Sequence, residues 1–320
     1  MSIIERIADL LGPTGRPADM AETVDDAATP GIDVVERVVV KGARSSEAFG
    51  HSESERTLSG ITKQDANQRP SIAHSSPIAT KLLKIDRERL HRQNLIMPDA
   101  KRSPVAEAFR RIKRQILLNL DRPKAGTLPN LVMVTSSVPG EGKSFCATNL
   151  ALSIALEMDH TVVLVDGDVA RPSIPEMLGV EEQTGLMDVL LNPKTPLRDV
   201  LFRTDIGKLM LLPAGAPHRH ATEMLASAVM RNLLGELTGN DANRIIVFDS
   251  PPILAASEAG VLANLMGQVV VVVEAEETTE GVLKTALGRI ETANIVGLLL
   301  NKVRYSNIVD GYGEYGYDAT

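Results

Sequence analysis

Val134-Thr135-Ser136-Ser137-Val138-Pro139-Gly140-Glu141-Gly142-Lys143-Ser144 continues the apolar residues Leu131-Val132-Met133 and runs straight into an apolar-patterned stretch over 145–158. The order is strand, glycine-rich turn, helix. Gly140 and Gly142 let successive backbone N–H groups face one concavity, and the helix N-terminus adds its positive end, so the segment is suited to hold phosphate. In such a loop Lys143 reaches the β- and γ-phosphates, and the Ser144 hydroxyl is placed for Mg²⁺. Ser137 stands six residues before the lysine, where the general pattern has glycine. The stretch predicts a nucleotide site formed by Pro139, Gly140, Glu141, Gly142, Lys143 and Ser144, with ATP and Mg²⁺ as its ligands.

Working outward, apolar runs of strand length recur at 131–136, 161–166, 208–213, 244–249, 268–273 and 296–301, with helical patterns such as 145–158 and 280–292 between several of them. Near-continuous Val/Ile/Leu strands alternating with helices predict an α/β fold, a mostly parallel sheet covered on both faces. Two further strands end in carboxylates: 161–165 runs into Asp166-Gly167-Asp168, and 244–248 into Asp249-Ser250-Pro251-Pro252. Ligands of open parallel sheets sit outside the carboxyl ends of the strands, so all three acids are expected to converge on the Mg-nucleotide. Thr135 or Ser136 could add a phosphate hydrogen bond or be ordinary strand-end residues. Cys146, on the second turn of the helix, reads as a small core residue.

Upstream the composition changes. Residues 15–95 are rich in Ser, Thr, Ala, Asp and Glu and sustain no apolar period, which predicts mostly disordered chain and a folded unit over 96–303. Residues 1–95 are therefore expected to be dispensable for nucleotide binding. A short amphipathic helix is predicted at 2–11, where Ser2 and Glu5 form a capping box ahead of Ile3, Ile4, Ile7, Leu10 and Leu11. Ser103-Pro104 opens another helix, with Val105, Phe109, Ile112, Ile116 and Leu120 on one face.

The charge balance excludes one class of function. A formal net charge of −7 is not the basic surface that nucleic-acid binding requires. No apolar run approaches the roughly 20 residues of a membrane span, and a single cysteine cannot close an internal disulfide, which together predict a cytoplasmic protein. The aromatic residues are unevenly spread. There are only four tyrosines, and Tyr305, Tyr312, Tyr315 and Tyr317 all fall in the last sixteen residues, within a glycine-rich tail over 304–320.

With those motifs in this order, the chain resembles the bacterial protein-tyrosine kinases of capsule and exopolysaccharide synthesis. Pro139-Gly140-Glu141-Gly142-Lys143-Ser144, Asp166-Gly167-Asp168 and Asp249-Ser250-Pro251-Pro252 correspond to that family's Walker A, Walker A′ and Walker B motifs. The likeness covers about residues 100–320, including Pro213-Ala214-Gly215, Glu223-Met224-Leu225-Ala226-Ser227 and Asn301-Lys302-Val303. Within the family it is most similar to soluble autokinases of exosortase-associated clusters, suggested by the long polar N-terminal region and Asp168-Val169-Ala170-Arg171-Pro172.

The resemblance implies a P-loop NTPase fold of the deviant-Walker, ParA/MinD-like kind and an ATP-dependent autokinase whose phosphoacceptors are the four tail tyrosines. It implies Lys143, Asp166, Asp168 and Asp249 as catalytic residues, with Asp166 as the base for the tyrosyl hydroxyl. Ser144 and Asp168 would hold Mg²⁺, Asp249 would act through a water, and Phe145 and Asn301 would join the nucleotide contacts. It further implies a homo-oligomer, a transmembrane polysaccharide co-polymerase (chain-length determinant) as activator, a cognate tyrosine phosphatase, and a peripheral position at the inner membrane.

Two departures stand out. Ala170 occupies the place of the family's Walker A′ arginine, with Arg171 following. The Glu-x-x-Arg-x-x-Arg oligomerisation pattern reads Glu107, Arg110, Lys113, and lysine lacks the bidentate fork. A positioning ATPase of the ParA/MinD type shares the motifs but carries a signature lysine where Val138 stands. A non-catalytic nucleotide-binding regulator is the other alternative, although Lys143, Ser144 and all three aspartates are present.

Overall fold

A computed structural model describes residues 38–42, 81–99, 103–120, 128–181, 183–239, 241, 243–290 and 295–303. The helix expected at 2–11 and the tail over 304–320 lie outside the described residues.

Among the described residues nine strands form one sheet in the order β1-β9-β8-β3-β7-β4-β6-β5-β2. They are β1 (Val38–Gly42), β2 (Lys81–Leu83), β3 (Leu131–Ser136), β4 (Thr161–Asp166), β5 (Phe202–Thr204), β6 (Leu209–Leu212), β7 (Arg244–Asp249), β8 (Gln268–Glu274) and β9 (Ile295–Asn301). From β9 through β6 every neighbouring pair is parallel, as the apolar runs predict, while β1 on β9 and β5 on β6 are antiparallel.

Alternation along the strands sends residues to two separate cores. Leu131, Met133, Val163, Val165, Ile246 and Phe248 pack on one face. Val132, Val134, Val162, Leu164, Ile245 and Val247 pack on the other. Both faces must therefore be covered by helices, because each presents an unbroken apolar surface. The second face is closed by α1 (Arg87–Arg92), α2 (Pro104–Leu120) and α3 (Lys143–Ala155). Ser103 caps α2 by accepting from the Ala106 N–H at 3.1 Å, and Phe109, Ile112 and Ile116 bury its apolar stripe. Cys146 is buried in the same core.

Two expectations are corrected here. The folded unit does not begin at 96: β2 pairs with β5, and Ile85, Leu90 and Leu95 are 4%, 0% and 4% exposed. Asp86 caps α1 and donates its own N–H to the Leu178 carbonyl at 3.1 Å. Few apolar residues suffice because each fills a gap in a core that is otherwise contributed from far along the chain. The strand β1 likewise falls within the stretch read as disordered.

The second correction concerns Lys113, which was expected on an oligomerisation surface. It is only 7% exposed. Position 113 follows Ile112 and lies one turn after Phe109, on the flank of the apolar stripe, so the stem is buried and the ammonium reaches outward along it. It ends at the last turn of α3, donating to the Ser153 carbonyl at 3.3 Å and pairing with Glu157. A cation at a helix C-terminus is favoured by the exposed carbonyls there.

Candidate functional site

The ends of β3, β7 and β4 lie side by side, and Asp166 and Asp249 are directly paired in register. The phosphate-loop candidate leaves β3 and enters α3 at Lys143. Gly140 and Gly142 take φ of +96° and +92°, the left-handed region that L side chains avoid. At Gly142 space is missing too: a Cβ would lie 2.1 Å from Asn301 Nδ2. A left-handed residue with a Cβ costs about 1–2 kcal/mol, so Gly142→Ala is expected to weaken nucleotide binding at least about tenfold. Titration with a fluorescent ADP analogue measures this, and unchanged affinity would show that the turn tolerates a Cβ.

Asn301, expected among the nucleotide contacts, is 1% exposed and serves the loop itself: its side-chain amide donates to the Glu141 carbonyl at 2.9 Å. Glu141 is also buried; its carboxylate accepts from the Val138 N–H at 2.8 Å and from the Thr278 hydroxyl. Phe145 is half-buried and meets Phe109 edge-on, ring centroids 6.3 Å apart. Thr135 and Ser136, the optional phosphate donors, are committed to the carbonyls of Pro251 at 2.7 Å and Val138 at 2.8 Å.

At the centre is Lys143. Its ammonium lies 2.8 Å from Asp168 and 3.5 Å from Asp249, and donates to Ser144 Oγ at 3.2 Å. Burial works against the charged lysine, but Asp249 and Asp168, with Asp166 behind them, outweigh it and hold its pKa above the ordinary value. Asp249 is fully buried; desolvation pushes it up to about 6 against the pull of Lys143.

Asp166 is also fully buried and is pushed up to about 7, first by desolvation and then by the charge of Asp249. Its Oδ2 accepts from the Ser173 and Ile174 N–H groups, both at 3.0 Å, at the start of α4 (Ile174–Leu178). Its Oδ1 has no hydrogen-bond partner among the described residues. Gly167 makes the close approach of the two strand ends feasible: its N–H donates to the Asp249 carbonyl at 2.7 Å, and a Cβ there would sit 2.8 Å from that oxygen. The turn after Asp168 is closed by the Arg171 N–H, 3.2 Å from Asp168 Oδ1, while the Arg171 residue is exposed.

The donor set is one that fits magnesium. Ser144, Asp168 and Asp249 place hard oxygens about the Lys143 ammonium, and Asp249 Oδ2 is buried with no partner among the described residues. Among the described residues no three His, Cys, Asp or Glu side chains form a cage for a metal. Magnesium seldom needs one, since it takes one or two carboxylates and completes its shell with phosphate oxygens and water.

The geometry therefore unites Lys143, Ser144, Asp166, Asp168 and Asp249, while Glu141 and Asn301 act on the loop from inside. The sequence reading missed Thr278. A buried hydroxyl just after a strand end leaves little trace in sequence, because Thr278-Thr279 reads equally well as a plain helix cap, the role Thr279 does fill.

Residues 127–305 match the family model described as "ParA: NUBPL iron-transfer P-loop NTPase". The tyrosine-protein kinase YwqD of Bacillus subtilis (strain 168) is 30% identical over 231 residues, 71% of this chain and 92% of YwqD. The succinoglycan biosynthesis transport protein ExoP of Rhizobium meliloti (strain 1021) is 32% identical over 70% of this chain, a match that spans only 29% of ExoP. The solved kinase domain of the Escherichia coli tyrosine kinase ETK is 25% identical with a TM-score of 0.57, covering 76% of this chain and 95% of that domain.

Proposed function

The chain belongs to the bacterial tyrosine-protein kinases built on the ParA-type P-loop fold, and from that premise we propose that it phosphorylates the tyrosines of its own tail. The phosphoryl donor is ATP, the acceptors are Tyr305, Tyr312, Tyr315 and Tyr317, and the transfer runs between subunits of a homo-oligomer. The observation that carries this reading is one of placement. All four tyrosines follow β9, whose last residue, Asn301, is bonded to the phosphate loop. The acceptor-bearing segment thus starts at the nucleotide site. Nineteen residues after Asn301 span at most about 65 Å when extended, enough to reach this site or a neighbour's.

In this reading Lys143 and the backbone amides of 140–144 bind the phosphates. Ser144 and Asp168 would hold the magnesium, with Asp249 assisting. The ion, when bound, neutralises charge on the phosphoryl oxygens. Asp166 Oδ1 takes the tyrosyl proton. Its other oxygen is occupied by two N–H groups, and a carboxylate with a pKa of about 7 is matched to proton uptake near neutrality. Charge guides the tail. A cavity of about 790 Å³ beside Pro172 and Pro175 has Asp86, Glu176, Glu181 and Asp188 in its wall against the single base Arg89, a balance that disfavours a tail bearing Asp310, Glu314 and Asp318. Cations suit it better. On α2, Arg110 is paired with Glu107 and Lys113 with Glu157, so Arg111 and Arg114, both exposed, are offered to a neighbour's tail.

The process regulated is exopolysaccharide synthesis and export, supported by the similarity to ExoP. ExoP is matched over 29% of its length, and no helix of the described residues is long and apolar enough to cross a membrane. In this reading a transmembrane co-polymerase activates the kinase, which is peripheral at the inner membrane, and a phosphatase reverses its action.

A mixing experiment tests the reading. A Lys143→Met chain with intact tyrosines is combined with an active chain whose four tyrosines are Phe, and phosphate is mapped by mass spectrometry. Phosphate is expected on the Lys143→Met tail, with the oligomer mass falling as phosphorylation of wild type proceeds, because each phosphate adds about −1.5 to −2 charge beside acidic residues. An unlabelled tail in a demonstrated mixed assembly would exclude transfer between subunits.

A further inference from the structure

The phosphate loop contains its own anion. Glu141 lies among amides whose task is to receive phosphate, and it is 1% exposed. A carboxylate in that place either competes with the ligand or is held away from it. Its Oε2 is held within the loop by the Val138 N–H at 2.8 Å. Its Oε1 is held from outside the loop, by the hydroxyl of Thr278, 6% exposed, in the turn between β8 and α5 (Glu280–Gly288).

The bonding around Thr278 leaves no choice of direction. Its Oγ1 accepts from the Glu274 N–H at 3.1 Å, so its single hydroxyl proton is free to point only at Glu141. The same turn is fixed to the end of β9. The Ala275 N–H donates to the Asn301 carbonyl at 2.9 Å, and Lys302 Nζ pairs with Glu274 at 2.9 Å. Asn301 closes the circuit by donating to the Glu141 carbonyl. Loop, turn and the root of the tail therefore share one buried network centred on Glu141.

We propose that Thr278 is a positioning residue for phosphoryl transfer, whose hydroxyl turns the Glu141 carboxylate away from the phosphates and sets the loop amides toward them. The inference rests on the nucleotide-site reading above and adds a residue to it. Without the hydroxyl, the buried Glu141 Oε1 and the part-buried Glu274 N–H both lose their partner, a cost the loop escapes by swinging the carboxylate out toward the phosphates. The repulsion is then felt by ligand, not only by the fold.

The test uses the full chain and two readouts besides activity: equilibrium binding of a fluorescent ADP analogue with Mg²⁺, and hydrogen exchange of the amides of 138–144 in nucleotide-free protein. Thr278→Val is expected to weaken ADP binding at least about tenfold and to speed exchange of those amides, with Thr278→Ser restoring both toward wild type. The charge is separated from the packing by a second change. Glu141→Gln added to Thr278→Val is expected to recover part of the lost affinity, whereas a brace of purely structural worth would lose more. Equal affinity in wild type and Thr278→Val, or no recovery in the double variant, overturns the proposal. Thr278→Cys keeps the volume with a weaker donor, and failure of both variants to fold would overturn it too, by assigning the bond to folding. A wild-type chain that binds no ADP would instead overturn the nucleotide-site reading itself.

Discussion

Replacing Lys143 with methionine is expected to lower tyrosine phosphorylation by at least about a thousandfold and to remove most nucleotide affinity, with the fold retained. The argument is electrostatic. Lys143 is the cation that the site sets against Asp168 at 2.8 Å and Asp249 at 3.5 Å. Methionine fills similar space but carries no charge to meet a ligand that is itself highly anionic. Loss of one preorganised donor at a phosphoryl or oxyanion site commonly costs about 10²–10³ in rate, and here the nucleotide loses affinity as well.

The fold survives because the buried acids have an alternative. Asp249 and Asp166 already sit at about 6 and 7, and without Lys143 they take up protons and remain buried as neutral groups. The check is phosphotyrosine in purified protein with Mg-ATP, alongside ADP titration and a thermal melt. Wild-type phosphotyrosine in Lys143→Met, with no contaminating kinase present, would remove the site from consideration.

How much of this was legible in the sequence differs by residue, and for physical reasons. Lys143, Ser144 and the three aspartates could be read because phosphate chemistry demands those types immediately after apolar strands, and strands buried on both faces are the plainest signal in an α/β sequence. Arg171 could only be placed by structure, since its N–H closes the turn on Asp168 while the residue stays exposed. Lys113 was read as part of a surface pattern, yet a lysine on the flank of an apolar stripe has a four-carbon stem to bury and a nearby helix end to reach. The strand β1 had a signal, Val38-Val39-Val40, that the polar surroundings hid: β-branched residues mark an edge strand even when no alternating run surrounds them. Thr278 had none, because a hydroxyl gains its role from the buried carboxylate it meets, 137 positions away in the chain.

The same reasoning decides where the folded unit begins, and it carries a large expected effect. A fragment starting at residue 96 is expected to lose cooperative folding and nucleotide binding, whereas one starting at 38 keeps both. Removing 81–95 takes away Ile85, Leu90 and Leu95, all within the core beneath α2 and α3. At about 1.5–3 kcal/mol for each fully buried aliphatic side chain, the loss is on the order of 5–9 kcal/mol as an upper bound. A domain of this kind has only about 5–15 kcal/mol in total. Polar partners are lost as well. Asp205 Oδ1 no longer receives the Ile85 N–H, and the Leu178 carbonyl loses the Asp86 N–H at the end of α4. That second loss bears on function, because the other end of α4 supplies the two N–H groups that orient Asp166. Leu90→Ala in the full chain isolates the packing contribution, with an expected cost of about 2–5 kcal/mol and a lower melting temperature. Comparing thermal melts and ADP affinity of 38–320, 96–320 and Leu90→Ala settles the matter. A 96–320 fragment that melts cooperatively and binds ADP like the full chain would place the boundary at 95 after all.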